Sequence, residues 1–118
     1  MKTRLRIITL TALFLALFSL NATALTVKQF SDVCNSTTKE CSQHPALQAY
    51  VGGALDLLAV LDEQTDYLDK VYCKKSKELF DVPGILRFMS QRSNQNDADN
   101  AMLLLIHYFE EKGGCTNE

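Results

Sequence analysis

The sequence predicts an all-α fold, a small disulfide-stapled bundle of four to five helices. Three observations carry that expectation. Apolar residues recur at spacings of three and four from Leu47 onward, whereas no segment alternates with a period of two. Only 2 Pro and 5 Gly interrupt 118 residues, of which 47% are apolar, so a single globular domain is expected and a disordered or collagen-like chain is excluded. The chain also has 4 Cys, an even number that reads as two disulfides in a small exported domain.

Lys2, Arg4 and Arg6 precede the apolar run Ile7 to Leu20, which ends at the small-x-small site Ala22-Thr23-Ala24. This predicts a signal peptide over 1–24, cleaved after Ala24, and an exported domain over 25–118. The apolar run is shorter than the roughly 20 residues that a spanning helix needs. Subtracting those three cations from 12 basic residues leaves 9 against 14 acidic ones, a net charge of −5 for the remainder. Nucleic acid and anionic membrane are therefore poor partners. The first cysteine, Cys34, lies well past the cleavage site, so no lipid acceptor adjoins it.

Thr26-Val27-Lys28-Gln29 fits a capping box and opens a short amphipathic helix carrying Val27, Phe30 and Val33 or Cys34 on one face. Asn35 to Gln43 is polar and reads as a loop. Pro45 suits the first position of a long helix whose seam is Leu47, Val51, Ala54, Leu58, Leu61 and Leu68. Gly52-Gly53 within it costs about 1 kcal/mol each relative to Ala, which predicts a compensating close approach, either within the monomer or across a dimer contact. The pattern continues from Asp66 to Phe80, where Lys74, Lys75 and Lys77 form a solvated basic face. Asp81-Val82-Pro83 caps a further helix bearing Ile85, Leu86, Phe88 and Met89. Ser90 to Asn96 breaks the periodicity, Asp97 is placed to cap a last helix that is apolar nearly all round from Met102 to Phe109, and Gly113-Gly114 ends it.

About 25 helical residues from Pro45 to Lys70 span roughly 37 Å, while a disulfide tolerates Cα atoms no more than about 7 Å apart. Cys41 and Cys73 are thereby kept from meeting. If the later helices run down and up again, Cys115 returns to Cys73, leaving Cys34 for Cys41.

An enzyme needs an activated nucleophile, a base or a metal in a cleft. With the cysteines oxidised, the remaining bases are His44, read as an exposed helix cap, and His107, read as an interfacial or core histidine. Asp62, Glu63 and Asp66 fall on a polar helix face. There is no metal-ligand spacing, no Gly-x-Ser-x-Gly and no phosphate loop. No enzymatic activity and no cofactor are expected. The feature that stands out is the amide-rich stretch Ser90-Gln91-Arg92-Ser93-Asn94-Gln95-Asn96-Asp97, read either as a solvated connector or as a segment that enters another protein's cleft.

Ala49-Tyr50-Val51-Gly52-Gly53-Ala54-Leu55-Asp56, then Val71-Tyr72-Cys73, then Asn100 to Glu111 give the mature chain a resemblance along nearly its whole length. It resembles the Rap/Tai family of periplasmic immunity proteins, most closely the type VI secretion amidase immunity proteins of the fourth class. It departs from them at Gln48 and at Lys74-Lys75, where many relatives carry a cysteine and a proline. The resemblance implies a periplasmic homodimer that binds two molecules of a papain-like peptidoglycan amidase and blocks the cleft with a loop between the last helices. Carried over by position, that loop is Ser90 to Asp97, and the supporting helix is Asp66 to Phe80 with Lys74 and Lys77. The alternative reading is a small periplasmic chaperone of the acid-stress type.

Overall fold

The computed structural model describes residues 24–94 and 96–115. The expected leader up to position 23, and Gln95 of the loop, lie outside the described residues. Helix α1, Val27–Asn35, begins as its capping box requires: the Thr26 hydroxyl accepts from Gln29 N–H at 3.2 Å, and the Gln29 amide oxygen accepts from Thr26 N–H at 2.9 Å. A 3-10 turn over Cys41–Gln43 follows, joined to α1 by the Cys34–Cys41 disulfide with Cα atoms 4.7 Å apart. Helix α2 is Pro45–Thr65, with proline in its first turn.

The expected continuation through Lys70 does not occur. Asp66 takes the left-handed conformation at φ 52°, ψ 34° and stops the helix. The Thr65 hydroxyl donates back to Leu61 O at 2.6 Å, and Asp62 Oδ1 accepts from Leu68 N–H at 2.8 Å. Helix α3 is then Tyr67–Val71 and helix α4 is Ser76–Leu79. The stretch Asp66 to Phe80 is therefore two short helices rather than one. Side chains of Asp and Thr compete with the helix for backbone groups, an effect that apolar spacing does not register.

Helix α5, Val82–Arg92, is capped by Asp81, whose Oδ1 accepts from Gly84 N–H at 3.1 Å. It runs through Ser90, Gln91 and Arg92, which the change in composition assigned to the loop. The hydroxyls stay within the helix by donating backwards, Ser90 to Arg87 O at 2.9 Å and Ser93 to Ser90 O at 3.0 Å. Helix α6, Met102–Gly113, starts later than a cap at Asp97 predicts. Ala101 stands at its cap position, and Asn100, just before it, accepts from Met102 N–H through Oδ1 at 2.9 Å. Among the described residues there are thus six helices and one 3-10 turn, one helix more than the upper expectation, because the long helix divides.

The second disulfide joins Cys73 to Cys115, with Cα atoms 5.0 Å apart. Beside it Cys73 N–H donates to Gly113 O at 2.8 Å. A Cβ on Gly113 would stand 2.8 Å from Leu79 Cδ1, so the glycine allows α4 to close against the end of α6. The core gathers Val27 and Phe30 of α1, Leu47, Val51 and Leu55 of α2, Ile85, Leu86, Phe88 and Met89 of α5, and Leu104, Leu105, Tyr108 and Phe109 of α6. Its aromatic centre is an edge-on pair, Phe88 and Tyr108, at 5.4 Å between centroids.

The buried seam of α2 is shorter than its sequence pattern. Ala54 and Leu58 are half-buried and Leu61 is 44% exposed; off the seam, Leu57 and Val60 are 62% and 57% exposed. Gly52 and Gly53 have no close neighbour, since a Cβ at either position would meet nothing within 4 Å. The expectation of tight packing around them inside the monomer is therefore overturned: α2 turns that surface outward.

Candidate functional site

Two surfaces stand out: the connection between α5 and α6, and an apolar groove between α2, α3 and α6. The connection is built from both ends. Ser93 is buried at 7% exposure, so it belongs to the scaffold and not to a projecting tip. Asn94, Asn96 and Asp97 are exposed, and Gln91 is exposed on the last turn of α5. Arg92, expected to be free for a partner, is engaged within the chain. Its guanidinium lies 4.3 Å from the Phe88 ring centroid and pairs with the Glu111 carboxylate.

Past the tip, the connection is fastened to the start of α1. Val27 N–H donates to Asp99 O at 2.8 Å, Lys28 N–H donates to Asp97 O at 3.1 Å, and Ala101 N–H donates to Leu25 O at 2.8 Å. Thr26 and Asn100 form an isolated antiparallel bridge at this point. The first backbone N–H groups of a helix have no partner inside it. Here Val27 and Lys28 bond to carbonyls of the connection, and Gln29 bonds to the Thr26 hydroxyl. Lys28 also donates to Asp32 at 2.7 Å, and that hydrogen bond holds its ammonium pKa above the usual lysine value, with Asp97 contributing in the same direction. Sequence reasoning missed Leu25 to Lys28 as part of this surface; the polar opening of α1 was its only signal.

On its other flank the connection meets the first disulfide loop. Ser90, Ser93 and Asn94 share a polar notch of about 420 Å³ with Asn35, Thr37 and Lys39. Lys74 and Lys77 are exposed but flank the Cys73–Cys115 bridge, at the end of α6 away from the connection. The twelve residues of α6 span about 18 Å at 1.5 Å each. Arg92, in contrast to the tip, reaches toward that end of α6 through Glu111.

His107 is not the core residue that one expectation made it, and His44 stands at the cap position of α2 without being fully exposed. His107 is exposed, beside a small recess lined by Arg92, Asn96, Asp99 and Leu103. His44 is half-buried, its Nδ1 is buried without a hydrogen-bond partner, and its side chain makes no capping bond to α2. Among the described residues no three metal-ligating side chains cluster.

The apolar groove, about 300 Å³, is lined by Ala54, Leu57 and Leu58 of α2, Tyr67 and Leu68 of α3, and Met102, Leu105 and Ile106 of α6, closed off by Tyr72 and Phe109. Tyr67 is 51% and Ile106 46% exposed at its rim. Burial pushes the phenol pKa values of Tyr72 and Tyr108 up.

Comparison with protein-family models, curated proteins and solved structures returns no match. The two disulfides indicate an oxidising, exported compartment. No helix among the described residues is long and apolar enough to cross a membrane.

Proposed function

We propose that this chain is a periplasmic immunity protein that binds a type VI-secreted, papain-like peptidoglycan amidase and blocks its active-site cleft with the α5–α6 connection. The observation that supports this reading best is the form of that connection. Its exposed tip carries the amides of Asn94 and Asn96, and it is anchored on one side by α5 and on the other by backbone bonds to α1. A segment ordered before binding loses little conformational freedom on association. Neutral amides offer donors and acceptors to a cleft without the desolvation cost of a full charge.

The inhibitor acts as a homodimer carrying two amidase molecules, its subunits joined through the apolar face of α2, α3 and α6. Leu57, Val60, Tyr67 and Ile106 are all exposed on that side, the kind of apolar face that a partner subunit covers. The same groove is what favours the second reading, a periplasmic chaperone that holds unfolded chains. Titration to acid separates the two, since a chaperone of that type must loosen as its carboxylates protonate.

The direct test is calorimetric titration against a purified papain-like peptidoglycan amidase of the type VI-secreted class. Replacing Asn94, Gln95 and Asn96 together by Ala, with Ser93 kept for its structural bond, is expected to weaken binding by at least about 2 kcal/mol, roughly thirtyfold. Unchanged affinity in a folded variant would move the inhibitory contact elsewhere.

A further inference from the structure

The start of α1 is joined to the α5–α6 connection by three main-chain hydrogen bonds, and this joint lies immediately after the expected cleavage site at Ala24. We infer that Leu25 to Lys28 is a positioning strap, which holds the segment from Asp97 to Ala101 in the shape that presents Asn94 to Asn96 to the amidase. The inference rests on the reading of that loop as the inhibitory contact, and it adds a segment that acts by holding the loop.

Three features support the strap. Its bonds run both ways: Val27 and Lys28 donate to Asp99 O and Asp97 O, while Leu25 O accepts from Ala101 N–H. It is anchored independently of the loop, because Val27 and Phe30 are 2% and 0% exposed in the core and the far end of α1 is closed by the Cys34–Cys41 disulfide. The segment it holds leads straight into α6, whose first residue Met102 follows the fully buried Ala101. A loop with one end free would sample many arrangements; fixing its second end removes that freedom before binding.

The geometry allows one strap bond to be deleted with little else changed. Val27 is the first residue of α1, where proline is well tolerated. Thr26 before it is extended at φ −79°, ψ 161°, the conformation that a residue preceding proline prefers. Val27→Pro therefore removes the N–H that donates to Asp99 O and leaves the helix able to form. Val27→Ala is its control, losing a similar apolar contact but keeping that N–H.

The test measures amide hydrogen exchange of Lys28 and Ala101, and affinity for the papain-like amidase used in the titration above, in both variants. Relative to Val27→Ala, Val27→Pro is expected to exchange about fivefold faster at both amides and to bind about fivefold more weakly. Equal exchange in the two variants would overturn the strap. Faster exchange with equal affinity would overturn its positioning role. If wild-type protein does not bind the amidase, the proposed function fails, and the exchange comparison still decides whether the strap orders the loop. Should Val27→Pro not fold, a chain beginning at Thr26 removes the Leu25 carbonyl together with its side chain, and a chain beginning one residue earlier with Leu25→Ala is its control, losing the side chain but keeping the carbonyl. Ala101 then becomes the reporting amide, and unchanged protection there would overturn the strap equally.

Discussion

The carboxylate of Asp62 accepts a hydrogen bond from the Leu68 backbone N–H at 2.8 Å, reaching across the left-handed turn at Asp66. It ends one helix and starts the next, and so decides where α3 leaves α2 and how the apolar groove is shaped. Leu68, the residue it holds, is 1% exposed. Asp62→Ala is expected to cost about 1 kcal/mol, the usual worth of a side-chain cap, while Asp62→Asn keeps an acceptor and costs less. Asp66→Val should cost at least as much as the alanine change, because a branched residue resists positive φ. Urea unfolding of the three variants measures all of these.

The disulfides should contribute unequally. In the chain-entropy description, the Cys73–Cys115 loop, with a sequence separation of 42, contributes about 4 kcal/mol, and the Cys34–Cys41 loop, with a separation of 7, about 2.5. Paired Cys→Ala variants compared by thermal and urea unfolding should follow that order. Non-reducing peptide mapping of the wild type should yield these two cross-linked pairs and none joining Cys41 to Cys73.

Leu57 and Ile106 lie on the same groove from different helices and are 62% and 46% exposed. Leu57→Asp together with Ile106→Asp should leave helix content unchanged, since neither side chain belongs to the core, and should convert a dimer to a monomer in sedimentation velocity. A wild-type protein that sediments as a monomer at all concentrations would leave this face to another partner.

Tyr72 and Tyr108 supply a pH dependence with a definite sign. Burial raises their folded pKa above the value near 10 of an unfolded tyrosine. Above that pH the unfolded chain loses phenol protons that the folded chain retains, so stability is full below about pH 10 and falls as pH rises through the window up to the folded values. Phenolate absorbance should therefore lag behind that of free tyrosine and rise together with the loss of helical signal. Tyr72→Phe with Tyr108→Phe should flatten the alkaline fall.

Much of the molecule was legible in the sequence because its causes are local. The Thr26-Gln29 capping box, Pro45 in a first turn, the Asp81 cap and the stop at Gly114 depend on residues within one turn of each other, and a periodic apolar face identifies a helix wherever it packs. The separation of Cys41 from Cys73 was likewise a matter of helix rise. Tertiary structure alone decided the rest. Apolar spacing cannot tell the part of a seam that meets the core, Leu47 and Val51, from the part that continues past it to Leu61, because exposure depends on where the covering helices end. Nor could it show that the free N–H groups of α1 close on carbonyls some seventy residues away, since main-chain bonds of that kind carry no side-chain signature. Hence the amide-rich stretch was readable as a loop, but its shape was set by distant backbone.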